Sequence, residues 1–156
     1  MGQCCSANAA ANTPISRLGP VLNPVEVSTV LSAAGVTANC QFKDSSYVTI
    51  NLEDFVRFAN IACNFGTKYK LEGNDCDDFA FIFLGRAREY YARAQSTSGV
   101  LFGYLDGDIR RKENDPTRGH AVCWFIDENK QLHIYDPMWN EIYPFEKFMT
   151  AWSVVV

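Results

Sequence analysis

A cysteine at the start of a predicted helix is the first candidate for chemistry in this chain. Asp75 is expected to cap that helix, which places Cys76 in its first turn. A thiol there lies near unpaired backbone N–H groups and the positive end of the helix dipole, and both favour the reactive thiolate. Asp75, Asp77 and Asp78 oppose this by charge repulsion, so a base or a cation must offset them. The alternative, that Cys76 only packs in the helix, stays open at this point.

A histidine at the edge of a predicted strand supplies the candidate base. His120 follows the polar loop 106–119 and opens the apolar strand 121–126, so it can face a cleft while its strand stays in the core. The other histidine, His133, lies inside the next predicted strand and is less well placed. We therefore expect His120 to accept the proton of Cys76. A purely structural histidine is the alternative.

Asp136 is the candidate for the group that orients the histidine. Two apolar strands on either side of residues 127–130 predict a hairpin, because those residues have turn chemistry. In the predicted register His120 lies opposite about residue 137, within one position of Asp136. A carboxylate there fixes the tautomer of the imidazole and stabilises the imidazolium. An Asp-Pro turn with no further role is the alternative.

Three short blocks resemble the transglutaminase-like and papain-like cysteine peptidase superfamily, and are similar to the papain-like domains of mushroom agglutinins. The blocks are Asp-Cys-Asp-Asp-Phe-Ala at 75–80, Gly-His-Ala-Val at 119–122 and Tyr-Asp-Pro at 135–137. The resemblance covers about residues 69–140. It implies that Cys76 is the nucleophile, His120 the general base and Asp136 the orienting acid.

The resemblance also implies roles for three further residues. The two acidic residues after the agglutinin cysteine take part in Ca²⁺ binding, and Asp77 and Asp78 stand at those positions. Carboxylate oxygens suit Ca²⁺, although both aspartates could simply favour the helix N-terminus. Tyr69 matches an aromatic residue near the oxyanion site, with plain packing as the alternative. The thiol chemistry itself requires no cofactor.

The elements around these residues predict an α+β domain. Helices are expected between Asn23 and Gly35, between Asn51 and Gly66, from Asp75 onward, and over 145–152. Strands are expected at 46–50, 100–105, 121–126 and 132–135. This order predicts a papain-like or transglutaminase-like core, with the cysteine-bearing helix packed on a small antiparallel sheet.

Composition limits the organisation and the partners. The chain has 156 residues and a net charge of -4, which suits one domain and makes nucleic acid a poor partner. We expect a low-complexity tail over 1–22 and the domain over 23–156. No signal peptide or transmembrane segment is visible, so an intracellular or virion-associated protein with six free cysteines is expected.

The tail suggests further partners. It could pack on neighbouring subunits, which would give a homo-oligomer or a larger assembly. Residues 1–6 fit the pattern for myristoylation of Gly2, so membrane attachment is expected only if the N-terminus is lipidated.

The function predicted from these residues is that of a cysteine peptidase-like hydrolase. Cys76 would form an acyl-enzyme with a protein or peptide substrate, and acyl transfer or deamidation would use the same groups. The alternative is a weak or inactive papain-like module that serves as a structural component of a larger assembly, such as a virus particle.

Overall fold

The structure, a computed structural model, describes residues 18–64, 75–93, 98–116 and 119–156. The helices in these ranges are α1 (Pro24–Ala33), α2 (Leu52–Ala62) and α3 (Cys76–Ala92). The strands are β1 (Leu18–Leu22), β2 (Cys40–Gln41), β3 (Tyr47–Ile50), β4 (Gly99–Val100), β5 (Phe102–Asp108), β6 (His120–Ile126), β7 (Leu132–Asp136), β8 (Glu141–Pro144) and β9 (Thr150–Val155). No helix in the described ranges is long and apolar enough to cross a bilayer.

Two mixed sheets organise the fold. The larger sheet has six strands in the order β2-β9-β5-β6-β7-β8, and its pairs are antiparallel except for β2 with β9. The smaller sheet has three strands in the order β1-β3-β4, with β1 antiparallel and β4 parallel to β3. Because α3 packs on β5 and β6, the larger sheet carries the helix that begins with Cys76.

Alternation along β6 divides the core into two layers. Val122, Trp124 and Ile126 pack in the layer that contains the buried residues of α1. Cys123 and Phe125 pack in the layer that contains the buried residues of α2 and α3. Both faces of β6 are therefore covered, which explains why this strand is an uninterrupted apolar run.

The predicted papain-like or transglutaminase-like α+β core with a small antiparallel sheet is wrong. Nine strands in two mixed sheets dominate the described residues, and only three helices accompany them. The helix predicted over 145–152 is absent, because Thr150–Val155 forms β9 between β2 and β5. Apolar residues at 145, 148, 149 and 152 have helical spacing, but residues 150–155 pair with β5 and β2 in the larger sheet.

The boundary between tail and domain also differs from the expectation. Residues 18–22, assigned to the tail, form β1 and pair with β3. Leu22 is 1% exposed, so this strand contributes to the core. Residues 1–17, including Gly2 with its myristoylation pattern, lie outside the described residues.

The helix starts were predicted correctly from capping chemistry. The side chain of Asn23 accepts hydrogen bonds from two N–H groups of the first turn of α1, at 2.9 and 3.1 Å. Asn51 accepts one from the first turn of α2 at 3.1 Å, and α3 begins at Cys76 directly after Asp75. These caps satisfy backbone donors that have no partner within the helix.

Candidate thiol site

Cys76, His120 and Asp136 meet where α3 begins beside the larger sheet. Cys76 is the first residue of α3, His120 the first of β6 and Asp136 the last of β7. Since α3 packs on β6 and β6 pairs with β7, three local positions far apart in sequence converge at one end of the sheet.

His120 and Asp136 form a short, buried contact. The Nε2 atom of His120 lies 2.6 Å from Oδ2 of Asp136, and Asp136 is 0% exposed. The other carboxylate oxygen accepts the backbone N–H of Met138 at 3.0 Å, which holds the carboxylate in place. Extending the β6–β7 ladder from the pair Cys123–Tyr135 puts His120 opposite residue 138, one position beyond the predicted register. Asp136 is nevertheless within reach, as predicted.

The surroundings of His120 favour its protonated form. Burial alone would lower the pKa of the imidazole, but hydrogen bonds to Asp136 and Cys76, together with their negative charges, raise it to about 9. Asp136 uses Nε2, which leaves Nδ1 as the ring nitrogen available to the thiol. A histidine held in this way is an imidazolium at neutral pH.

Cys76 is the complementary partner of this imidazolium. The hydrogen bond with His120 lowers the pKa of the thiol; burial opposes this, while the backbone N–H of Ala121 and the charge of His120 lower the pKa further. The charge of Asp75 acts weakly in the opposite direction. The surroundings of Cys76 therefore favour the thiolate, which is the reactive form of a cysteine.

The other cysteines of the described ranges have the opposite character. Cys40, Cys63 and Cys123 are free thiols like Cys76, but burial raises the pKa of each, to about 11 for Cys40. Cys123 is fully buried and its thiol contacts the carbonyl oxygen of Ala80 at 3.4 Å. These three cysteines are packing residues, which isolates Cys76 as the candidate nucleophile.

Three carboxylates surround the start of α3. Asp75, Asp77 and Asp78 each place an oxygen atom within 4.8 Å of the others. The carboxylate of Asp78 also accepts the backbone N–H of Asp75 at 3.3 Å, as in a capping box. An all-oxygen donor set fits a hard cation such as Ca²⁺, although acidic residues are also favoured at helix N-termini without one.

Two tyrosines near the site differ in how they relate to the prediction. Tyr69 falls outside the described residues. Tyr104 on β5 was not predicted as a site residue, yet burial and the charges of Asp106, Asp77 and Cys76 raise its pKa to about 12. The sequence could have indicated this position, because alternation along β5 puts Tyr104 on the same face as Phe102, the face covered by α3.

The second histidine belongs to a separate cluster. His133 contacts Asp127 at 2.9 Å, and the other oxygen of Asp127 accepts the N–H groups of Asn129 and Gln131 at 2.9 and 2.8 Å. This pair fixes the β6–β7 turn. His133 is therefore a structural residue, as its position within the strand indicated.

Similarity to known proteins is limited to the fold. No protein family and no curated protein sequence matches the chain. A complex of PSL1a with E64 superposes with a TM-score of 0.72 at 16% identity, covering 87% of this chain and 51% of the other. Polyporus squamosus lectin bound to the human-type influenza-binding epitope Neu5Acα2-6Galβ1-4GlcNAc gives a TM-score of 0.70 at 17% identity, covering 87% and 49%. The chain thus spans about half the length of these structures.

These similarities correct the predicted family, function and partners. The similar structures are those of a sugar-binding lectin, so membership of the transglutaminase-like and papain-like cysteine peptidase superfamily is wrong. The predicted peptidase-like hydrolase with protein or peptide substrates is wrong for the same reason, and the alternative of a virion component gains no support. The three blocks misled because capping residues, a strand-edge histidine and a hairpin turn are local features that recur on different folds.

Proposed function

We propose that Cys76 is the nucleophile of a thiol-dependent acyl-transfer site, with His120 as proton donor and acceptor and Asp136 as the orienting carboxylate. The observation that carries the proposal is the chain of contacts from Asp136 through His120 to Cys76. Nε2 of His120 lies 2.6 Å from Oδ2 of Asp136, and the hydrogen bond between His120 and Cys76 lowers the pKa of the thiol. A nucleophile, a base and a group that orients the base are the minimum set for covalent catalysis by cysteine.

The chemistry follows from the pair of charges. The thiolate of Cys76 attacks the carbonyl carbon of an acyl donor, and the carbonyl electrons move to oxygen. When the tetrahedral intermediate collapses, the leaving group takes a proton from the His120 imidazolium and a thioester remains on Cys76. An acceptor nucleophile then gives its proton to His120 and attacks the thioester, which restores the thiolate. Asp136 stabilises the imidazolium whenever it forms.

Calcium at Asp77 and Asp78 is part of the proposal. Their donor oxygens, with that of Asp75, would hold the ion at the start of α3. A bound cation there would offset the repulsion between these carboxylates and the thiolate of Cys76.

The direct test is alkylation by iodoacetamide near pH 6, resolved by site with mass spectrometry. The comparison includes wild type, His120→Ala and the matched control His133→Ala, each with and without Ca²⁺. We expect Cys76 to react at least tenfold faster than Cys40 or Cys63, and this advantage to be lost in His120→Ala but kept in His133→Ala. Slow labelling of Cys76 in folded wild type, unaffected by His120→Ala, would refute the proposal.

E64 is a second probe, because one similar structure is its complex. Addition of E64 to Cys76 in wild type, and its loss in His120→Ala, would support an activated thiol. Equal addition to Cys40 and Cys63 would count against it.

Glycan binding is a second candidate function. It is favoured by the likeness to Polyporus squamosus lectin bound to a sialylated glycan. Calorimetric titration with Neu5Acα2-6Galβ1-4GlcNAc, and with Galβ1-4GlcNAc as the matched control, tests it. Heat of binding from the sialylated glycan alone would support recognition of the sialic acid, and no heat from either would reject this candidate.

A further inference from the structure

An irregularity in the larger sheet exposes one tryptophan. Asp106 on β5 pairs with Ser153 on β9, whereas Gly107 pairs with Ala151, so Trp152 is an extra residue without a partner. Such a β-bulge turns a side chain away from the regular alternation and is common beside functional sites. Trp152 is 61% exposed, so its indole ring is open to solvent.

The bulge lies directly beside the candidate base. Gly107, the β5 residue at the bulge, pairs on its other side with His120. A Cβ atom at Gly119, the residue before His120, would lie 3.6 Å from Cη2 of Trp152, so the indole contacts this segment. Gly119 has a φ of +75°, which favours glycine and keeps the surface beneath the indole free of a side chain.

A second aromatic surface lies where α3 packs on β5. The ring of Phe81 stacks on Tyr104 with the centroids 4.6 Å apart and the planes 3° from parallel. Phe81 lies on α3, the helix that begins with Cys76, and is 54% exposed. Exposed aromatic side chains therefore lie beside the segment that begins β6 and on the helix that begins with Cys76.

We propose that Trp152 is a specificity-determining residue of the Cys76 site, which contacts an apolar, aromatic group attached to the reacting carbonyl. This inference rests on the proposed nucleophilic role of Cys76. Stacking on an exposed indole beside the base would hold such a group while the thiolate attacks the carbonyl carbon. The bulge makes this contact possible, because residue 152 of a regular strand would not point toward the segment before His120.

The test compares two electrophiles that differ only in an aromatic group. Rates of alkylation at Cys76 are measured with iodoacetamide and with N-benzyl iodoacetamide near pH 6, in wild type, Trp152→Ala and Trp152→Phe. Trp139→Ala is the matched control, because Trp139 is similarly exposed, at 58%, on the turn between β7 and β8. The readout is the ratio of the benzyl rate to the plain rate.

We expect Trp152→Ala to lower this ratio about threefold to tenfold while the iodoacetamide rate stays within about twofold. Trp152→Phe should restore most of the ratio, and Trp139→Ala should leave it unchanged. An unchanged ratio in Trp152→Ala, with Cys76 still activated, would overturn the role of Trp152 alone. Slow labelling of wild-type Cys76 by both reagents would instead overturn the proposed function on which it rests.

Discussion

Replacing Asp136 by Asn should weaken the imidazolium form of His120 and, with it, the thiolate form of Cys76. The substitution keeps the size of the side chain and an oxygen that can accept the N–H of Met138. It removes the buried negative charge that lies 2.6 Å from Nε2 of His120. His120 is then left in a site where burial disfavours the imidazolium.

The size of the effect follows from the pKa of His120. The difference between the ordinary value of 6.5 and about 9 corresponds to about 3 kcal/mol in favour of the imidazolium. Asp136 and Cys76 share this stabilisation. If Asp136 supplies half of it, its removal lowers the population of the thiolate–imidazolium pair about tenfold.

Site-resolved alkylation of Cys76 at pH 6 measures this change. Asp136→Asn should react about tenfold more slowly than wild type, whereas Asp127→Asn, which alters the other histidine–aspartate pair, should react at the wild-type rate. Equal rates for wild type and a folded Asp136→Asn would refute the reasoning.

Stability gives a second readout of the same pair. Because the pKa of His120 is raised on folding, the stabilisation is complete below about 6.5 and is lost as the pH rises through about 9. Because the lowered pKa of Cys76 contributes with the opposite sign, the measurement uses a Cys76→Ala background, in which the free energy of unfolding should fall as the pH rises through the pKa of His120. The fall should be smaller in Asp136→Asn, as measured by urea unfolding at several pH values.

Three further predictions concern the core, the bulge and the metal. Phe55 is 0% exposed, and its ring contacts those of Phe83 and Phe125. Replacing it by Ala should lower the free energy of unfolding, measured in urea, by about 3–5 kcal/mol. Gly107→Ala should lower stability by about 1–3 kcal/mol in the same assay, because its Cβ would overlap the carbonyl oxygen of Thr150; unchanged stability would contradict the close pairing of β5 with β9. Ca²⁺ should raise the melting temperature of wild type, and Asp77→Asn should abolish that rise; an equal rise in both would place the ion elsewhere.

Local capping chemistry determines the starts of the three helices, and the sequence predicted these correctly. The caps Asn23 and Asn51 act within three residues of their own position, and the turn after Asp127 closes within four. The predicted hairpin register was one position off, since the observed ladder extends to place His120 opposite residue 138, but it still brought Asp136 near His120. Such interactions depend on neighbouring residues alone, which is why the sequence discloses them.

The identity of the last strand could not be predicted in the same way. Residues 145–152 have apolar spacing that suits a helix, and nothing nearby in the sequence contradicts it. Strand β9 exists because β5 and β2, both far away in the chain, pair with it on either side. Backbone pairing between distant segments overrode the local pattern, and it also created the bulge at Trp152.

For the candidate site, the sequence by itself determined the residue types and their local settings: a thiol at a helix start, a histidine at a strand edge and an aspartate after a hairpin. Tertiary structure decided that they meet, because the contact between Cys76 and His120 requires α3 to pack on β6. It also decided that Asp136 is completely buried, at 0% exposure. Burial and charge proximity set the pKa values that make a thiol reactive, and both depend on residues that only the folded chain brings together.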